Sequence, residues 1–192
     1  VVSTISGLSV PIGVAITPNG QYVYVANNGG NSVSVISTST NSVVSTIPVG
    51  TNPFGIAITP NGQYVYVTNY GSNTVSVIST STNSVVSTIS VGTTPIGVAV
   101  TPNGQYVYVA NNGGNSVSVI STSTNSIVST ISTGYNPEGI TITPNGQYVY
   151  VTNGGSRSVS VISTSTNQVV ATIPNTLTYP CGINYGPLGS VY

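Results

Sequence analysis

The chain has 192 residues, of which only Glu138 and Arg157 have charged side chains and none is histidine. In a typical soluble domain about one-quarter of the residues are charged, whereas here 1% are. Nucleic-acid binding is excluded because phosphate recognition needs clustered Lys and Arg. Intrinsic disorder is excluded because the chain is rich in Val and Ile and contains 13 Tyr, and apolar runs such as residues 22–26 are far shorter than the roughly 18 residues of a membrane span.

A segment that recurs at intervals of 42 residues organises the chain. Pro11, Pro53, Pro95 and Pro137 each open a copy of the pattern P-x-G-[VI]-x-[VI]-T-P-N-G-Q-Y-V-Y-V. A period near 42 falls in the range of four-stranded propeller blades. The sequence therefore predicts full repeats at about 11–52, 53–94, 95–136 and 137–179.

Each repeat divides into four short strands. In the first repeat, period-two alternation and β-branched residues predict strands at 13–17, 21–26, 32–38 and 43–49. The small residues of the first strand suit a crowded position near a central axis. The Asn19-Gly20 pair that follows is typical of a tight hairpin with positive backbone angles. Because no segment has a helical period, we expect an all-β fold, a β-propeller of four-stranded antiparallel blades with partial blades at both ends.

A four-residue motif identifies a family. Tyr-Val-Thr-Asn stands intact at 66–69 and 150–153, and as Tyr-Val-Ala-Asn at 24–27 and 108–111. Together with the repeated turn and the Val-Ser-Val-Ile strand, these residues resemble the YVTN-type β-propeller family over nearly the whole chain. The resemblance implies a propeller of the kind known from archaeal surface-layer proteins, commonly with seven blades. Family members usually have Asp where this chain has Asn19 and Ser37.

The two ends of the chain match parts of the repeat. Residues 1–6 align with the fourth strand of a blade, and residues 180–192 restart the repeat and stop within its second strand. We expect one propeller domain over 1–192, with partial blade strands at 1–8 and 180–192, forming a segment of a longer chain. The alternative is a five-position ring whose last blade combines both ends. Strand edges without Lys are unprotected, so either the ring closes or neighbouring chains cover the edges.

The turns define an invariant face and a variable face. The first-to-second and third-to-fourth turns are unchanged in the four full copies, whereas the second-to-third turns and the links between repeats vary. Loops on a rigid scaffold commonly carry recognition, so the variable face is the candidate partner-contact surface. Its candidate residues are Asn52, Phe54, Tyr70, Tyr135, Asn136, Glu138 and Arg157. The alternative is that these loops drifted after duplication because they are free to vary. Glu138 and Arg157 would then form an incidental surface ion pair, which stabilises a protein by only about 0–1 kcal/mol.

The remaining conspicuous residues have architectural interpretations. The eight tyrosines of the Tyr-Val-Tyr strands are expected to pack between blades, with their hydroxyls bonded to polar partners. Cys181 takes the place of Ile12 and Ile96 in the repeat, which favours a buried apolar thiol over a reactive one.

Catalysis is not expected from these residues. General acid–base chemistry needs a positioned titratable group, and the chain offers only Glu138, Cys181 and tyrosines. A zinc site needs about four ligands from Cys, His and carboxylates, and the serines have no His or Asp to activate them. The sequence therefore predicts no enzyme, no metal site and no cofactor within 1–192, unless residues outside this segment supply the chemistry.

The expected function is a non-catalytic structural and interaction module of a surface layer, an appendage filament or a virion surface. The expected partners are neighbouring proteins, including copies of the same chain, and cell-surface glycans; the expected location is extracellular, on a cell or virion surface. The rival hypothesis is a receptor-binding or glycan-binding adhesion domain that uses Tyr70 and Tyr135 for stacking. With two charged side chains, stability should barely change between acid and neutral pH.

Overall fold

The computed structural model describes residues 3–174 and contains sixteen strands in four sheets. Each sheet is a blade of four antiparallel strands hydrogen-bonded in chain order. The strands are β1 Pro11–Ile16, β2 Tyr22–Asn27, β3 Ser32–Ser37 and β4 Ser42–Pro48 in blade 1; β5 Pro53–Ile58, β6 Tyr64–Asn69, β7 Thr74–Ser79 and β8 Ser84–Ser90 in blade 2; β9 Pro95–Val100, β10 Tyr106–Asn111, β11 Ser116–Ser121 and β12 Ser126–Ser132 in blade 3; and β13 Pro137–Ile142, β14 Tyr148–Asn153, β15 Ser158–Ser163 and β16 Gln168–Pro174 in blade 4.

The predicted all-β architecture of four-stranded repeats is confirmed. The first strand of blade 1 begins two residues earlier than predicted, because Pro11 already pairs with Asn27 across a register shift that precedes Val14. One 3₁₀ turn at Asn28–Gly30 follows β2. No helix among residues 3–174 has the length and apolar character needed to cross a membrane.

The hairpin between the first two strands differs from the predicted form. Gly20 has a φ of 71°, but Asn19 does not have a positive φ. Instead, the Asn19 side chain closes the turn: its Oδ1 accepts hydrogen bonds from Thr17 Oγ1 at 2.7 Å and from the Gln21 amide at 3.0 Å. Asn therefore acts here as a side-chain acceptor, and only the glycine supplies the left-handed conformation.

Alternation along the strands gives each blade two apolar faces. The face toward the following blade presents Tyr24, Val33, Val35 and Ile47 in blade 1, and the facing side of blade 2 presents Val65, Val67 and Ile78; these residues form one core. Equivalent cores lie between blades 2 and 3 and between blades 3 and 4. Burial of each such side chain contributes about 1.5–3 kcal/mol, so packing between blades contributes substantially to the stability.

One buried tyrosine of the Tyr-Val-Tyr strand joins each described blade to the next. The prediction that all eight of these tyrosines pack between blades is wrong in part, because Tyr22 and Tyr148 are exposed. The hydroxyls of Tyr24, Tyr66 and Tyr108 donate to Asn Oδ1 atoms in the third-to-fourth turn of the following blade, at 2.7, 2.9 and 2.8 Å. Burial raises the pKa of Tyr66 to about 12, with a smaller contribution from Tyr64. The pKa of Tyr108 is raised to about 12 in the same way. These hydroxyls are therefore protonated donors at ordinary pH.

The outermost described blades leave apolar surface uncovered by residues 3–174. On blade 1, Val14 is 66% exposed, although its counterpart Ile140 on blade 4 is buried by blade 3. On the other side of the array, Ile173 of blade 4 is 48% exposed. Residues 3–8 form no strand, and residues 175–192, together with Cys181, lie outside the described residues. Completion of a blade by the two ends therefore stays a prediction.

Candidate functional site

The inner strands β1, β5, β9 and β13 position the candidate site. The inner strands of neighbouring blades contact each other far more extensively than the outermost strands β4, β8, β12 and β16 do. The blades therefore converge at their first strands. Residues at the beginning of these strands meet at the variable face, where the links enter the blades.

Close approach of the inner strands depends on one glycine per blade. A Cβ on Gly13 would overlap the carbonyl oxygen of Phe54, and a Cβ on Gly55 would overlap that of Ile96. The same relation holds between Gly97 and the carbonyl oxygen of Glu138. The invariant glycine of the repeat is thus required by backbone packing between blades.

The residues before these glycines line a groove of about 520 Å³. Its lining is mainly apolar and consists of Ile12, Gly13, Phe54, Gly55, Ile96, Gly97, Glu138 and Gly139. Sequence reasoning identified Phe54 and Glu138 but missed Ile12 and Ile96. The signal was present, because Ile12, Phe54, Ile96 and Glu138 occupy equivalent positions of the four repeats and must converge wherever the inner strands do.

Glu138 is the one carboxylate among the described residues and replaces an apolar side chain at its position in the repeat. It is half-buried, and its Oε1 lies over Gly154 of its own blade, 3.1 Å from the place of a Cβ on that glycine. In blade 2 the equivalent pair is Phe54 and Tyr70, whose ring centroids are 6.5 Å apart. The small Gly154 therefore leaves room above its blade for the carboxylate.

Arg157 does not join this groove. It is exposed on the β14–β15 turn and lines a separate cleft of about 710 Å³ with Ser132, Ser156 and Ser160 among others. Within residues 3–174, no ion pair connects Glu138 with Arg157, so the structure separates two residues that the sequence suggested as a surface pair.

The other candidate residues hold the links in place. The amide of Asn52 donates to Asn31 Oδ1 at 2.9 Å, and that of Asn136 donates to Asn115 Oδ1 at 3.0 Å. Both asparagines have φ near 50°, a conformation that Asn tolerates better than most residues. Tyr135 is 67% exposed, and its amide donates to Ser156 Oγ. All seven predicted residues thus lie on the variable face, but only Phe54 and Glu138 line the groove.

The described part of the chain contains no group of three or more His, Cys, Asp or Glu residues that could hold a metal ion. The chemistry available in the groove is that of one carboxylate, apolar side chains and backbone amides.

Comparison with known proteins identifies relatives of this fold. Residues 3–94 and 84–172 match the family described as "Lactonase, 7-bladed beta-propeller". A solved structure of Kuenenia stuttgartiensis hydrazine synthase superposes with a TM-score of 0.89 at 28% identity, over 97% of this chain and 55% of that chain. This chain therefore spans about half the length of that neighbour. In all, 1454 chains of solved structures match, so the fold alone does not select a function. No curated protein matches the sequence significantly.

Two expectations from the sequence are wrong in the light of these matches. The expected structural and interaction module of a surface assembly, with its alternative as an adhesion domain, is overturned by the match to a lactonase family and by a neighbour that is an enzyme. The expectation of no enzyme is overturned by the same family match. The expectation of no enzyme rested on the small number of titratable residues. A single carboxylate at the right place can act as a general base, so that number was a poor guide. The matches support a propeller, but not its archaeal surface-layer type.

Proposed function

Because this chain belongs to the family of seven-bladed β-propeller lactonases, we propose that it forms part of a hydrolase that opens a cyclic ester in the groove at the inner strands. Glu138 is the general base of the proposed reaction. Ile12, Phe54 and Ile96 provide the apolar surface against which the ring of the ester packs.

The position of Glu138 carries this proposal. The one carboxylate of the described residues replaces an apolar side chain where the four inner strands converge. A drug-sized ligand site typically has a volume of about 300–1,000 Å³, mostly apolar walls and few polar groups, and the groove of about 520 Å³ fits that description. An uncharged lactone suits a site with one acid and apolar walls.

The proposed reaction needs only water and the lactone. The carboxylate of Glu138 takes a proton from a water molecule while the water oxygen bonds to the carbonyl carbon of the ester. The bond between that carbon and the ring oxygen then breaks, and the ring oxygen takes the proton from Glu138. One lactone and one water give one hydroxy acid, and the Glu138 carboxylate is regenerated.

The structural match to hydrazine synthase supports the proposed function less strongly than the match to the lactonase family does. Hydrazine synthase is an enzyme of which this chain spans about half the length. That likeness supports the use of this kind of propeller within an enzyme, and the reaction of the neighbour is not transferred to this chain.

The test is lactone hydrolysis by the full-length protein, followed as acid release across lactones of five-membered to seven-membered rings. We expect Glu138→Gln to lower kcat/KM by about 100-fold or more, the usual contribution of a general base. Arg157→Gln is the matched control, because it removes the other single charge from a separate cleft, and it should retain the wild-type rate. Wild-type activity in Glu138→Gln, or no hydrolysis of any lactone by the wild-type protein, contradicts the proposal.

A further inference from the structure

A second cleft, of about 710 Å³, lies at the rim of the interface between blades 3 and 4, apart from the groove at the inner strands. One basic side chain and several hydroxyl groups line it, among other residues: Arg157, Ser132, Thr133, Ser156, Ser158 and Ser160. Arg157 is the one basic residue of the chain, and Glu138, the one carboxylate side chain, lines the other groove. The cleft therefore contains a positive charge without a compensating carboxylate.

The serine hydroxyls that blade 4 contributes to this cleft have O–H groups available to a ligand. Ser156 Oγ accepts a hydrogen bond from the amide of Tyr135 at 2.6 Å. Asn153 Nδ2 donates to Ser158 Oγ at 3.1 Å and to Ser160 Oγ at 2.9 Å. Each hydroxyl is thus an acceptor in these contacts and keeps its own O–H as a donor, and no residue among 3–174 takes that donor. The cleft therefore offers three hydroxyl donors beside the guanidinium.

One wall of the cleft differs from the equivalent place at the other two interfaces. Thr133 stands where the preceding links have Val49 and Val91. Those valines pack against the cores between blades 1 and 2 and between blades 2 and 3. At the interface between blades 3 and 4, a hydroxyl group thus replaces a methyl group in the cleft that also contains the arginine. Two departures from the repeat therefore add polar groups at the same place.

The structural role of its position does not explain Arg157. In the other three blades the equivalent residues are Asn31, Asn73 and Asn115. Their Oδ1 atoms accept hydrogen bonds from backbone amides of the following link at 2.9, 2.8 and 3.0 Å. Arginine has no acceptor atom, so Arg157 cannot fasten a link in this way. It keeps the left-handed backbone, with a φ of 49°, although that conformation suits asparagine better.

We propose that this cleft binds the carboxylate or phosphate group of a small organic anion. A guanidinium group presents its N–H donors as a planar fork that matches either group with two parallel hydrogen bonds. The hydroxyls of Ser156, Ser158 and Ser160 supply further donors. The volume of the cleft falls in the range of about 300–1,000 Å³ that is usual for small-molecule sites, which favours an organic anion over a bare inorganic ion.

The test is isothermal titration calorimetry on the full-length protein at neutral pH and low salt, with glycerol 3-phosphate, glycerate and glycerol as probes. The three share one carbon skeleton and differ in the charged group. We expect at least one of the two anions to bind with a Kd of about 1 mM or lower and glycerol to show no binding. Arg157→Asn should raise that Kd about 10-fold or more, the contribution of hydrogen bonds to a charged group. Because this variant restores the residue of the other repeats, its unfolding temperature should not fall.

A matched pair of variants tests the threonine wall. Thr133→Val should raise the Kd about five-fold, through the loss of one polar group from the cleft. Val91→Thr makes the reverse exchange at the interface between blades 2 and 3, away from Arg157, and should leave the Kd within about two-fold of wild type.

Three results would overturn the inference: no binding of either anion, equal binding of glycerol, or an unchanged Kd in Arg157→Asn. The measurement is of binding and not of hydrolysis, and the cleft is separate from the groove that contains Glu138. A failure of this inference is therefore distinguishable from a failure of the proposed lactone hydrolysis.

Discussion

Individual tyrosines show how a nearly uncharged chain gains specific contacts. Tyr66 has no exposed surface, yet its hydroxyl is satisfied by Asn125 of the next blade. A buried hydroxyl without a partner would cost about 1–3 kcal/mol. The repeat therefore gives the buried tyrosine ring at each described interface a defined polar partner for its hydroxyl.

The same tyrosines give the protein a defined response to pH. Burial raises the pKa of Tyr66 and Tyr108 to about 12, above the ordinary value near 10. Below pH 10 these tyrosines are protonated in both the folded and the unfolded state. Between pH 10 and pH 12 the unfolded chain releases these protons while the folded chain keeps them, so the free energy of unfolding falls with pH.

We therefore predict an unfolding temperature that is nearly flat from pH 3 to pH 9 and falls by more than about 5 °C between pH 9 and pH 12. Calorimetric scans across this range measure it. Tyr66→Phe, which removes one of the three buried tyrosines whose pKa is raised (Tyr24, Tyr66 and Tyr108), should show a smaller alkaline decrease. A steep loss of stability on acidification, or an equal alkaline decrease in the variant, would contradict this account.

At the scale of the strand, the sequence predicted the elements well because alternation has the period of a strand and the repeat shows the same pattern four times. Its errors lie where backbone geometry decides. Pro11 lies beyond the register shift that the pattern does not show, and Asn19 closes its turn through its side chain. Neither a bulge nor a side-chain turn leaves a periodic signal.

The inner strands depend on glycine more strictly than their sequence suggests. Addition of a Cβ at Gly55 would overlap the backbone carbonyl oxygen of Ile96, and backbone cannot be displaced as the end of a flexible side chain can. We predict that Gly55→Ala lowers the free energy of unfolding by about 2 kcal/mol or more, since overpacking costs typically 1–3 kcal/mol.

Urea denaturation measures this effect, with Gly20→Asn as the control. A Cβ at Gly20 meets no atom within 4 Å, and Asn tolerates its left-handed backbone conformation. The control should therefore lie within about 0.5 kcal/mol of wild type. Similar free energies for Gly55→Ala and the wild-type protein would show that the inner strands are not packed as described.

At the scale of the whole molecule, the site arises from convergence rather than from a motif. Glu138 and Phe54 were recognisable as outliers of the variable face, but sequence alone did not join them with Ile12 and Ile96. Each of these four residues lies 42 positions after the previous one in the chain, and they meet only because the inner strands of successive blades pack together. The same geometry separates Arg157, which sequence reasoning had grouped with Glu138.

The expectation of a non-catalytic protein failed for a related reason. A count of titratable groups treats each residue alike, whereas the environment of one carboxylate decides its use. Glu138 stands half-buried in a mainly apolar groove, where a small ligand and a base can meet. Composition argued against metal-dependent and serine-dependent chemistry from residues 1–192, but it gave no weight to a single general base.

We propose that the groove between Phe54 and Glu138 binds a lactone. The most direct measurement is a crystal structure of the full-length Glu138→Gln protein soaked with a lactone that the wild-type protein hydrolyses. We predict density for the intact ring against Ile12, Phe54 and Ile96, with its carbonyl carbon facing residue 138. Density for the lactone at another place, with the groove unoccupied, would contradict the account.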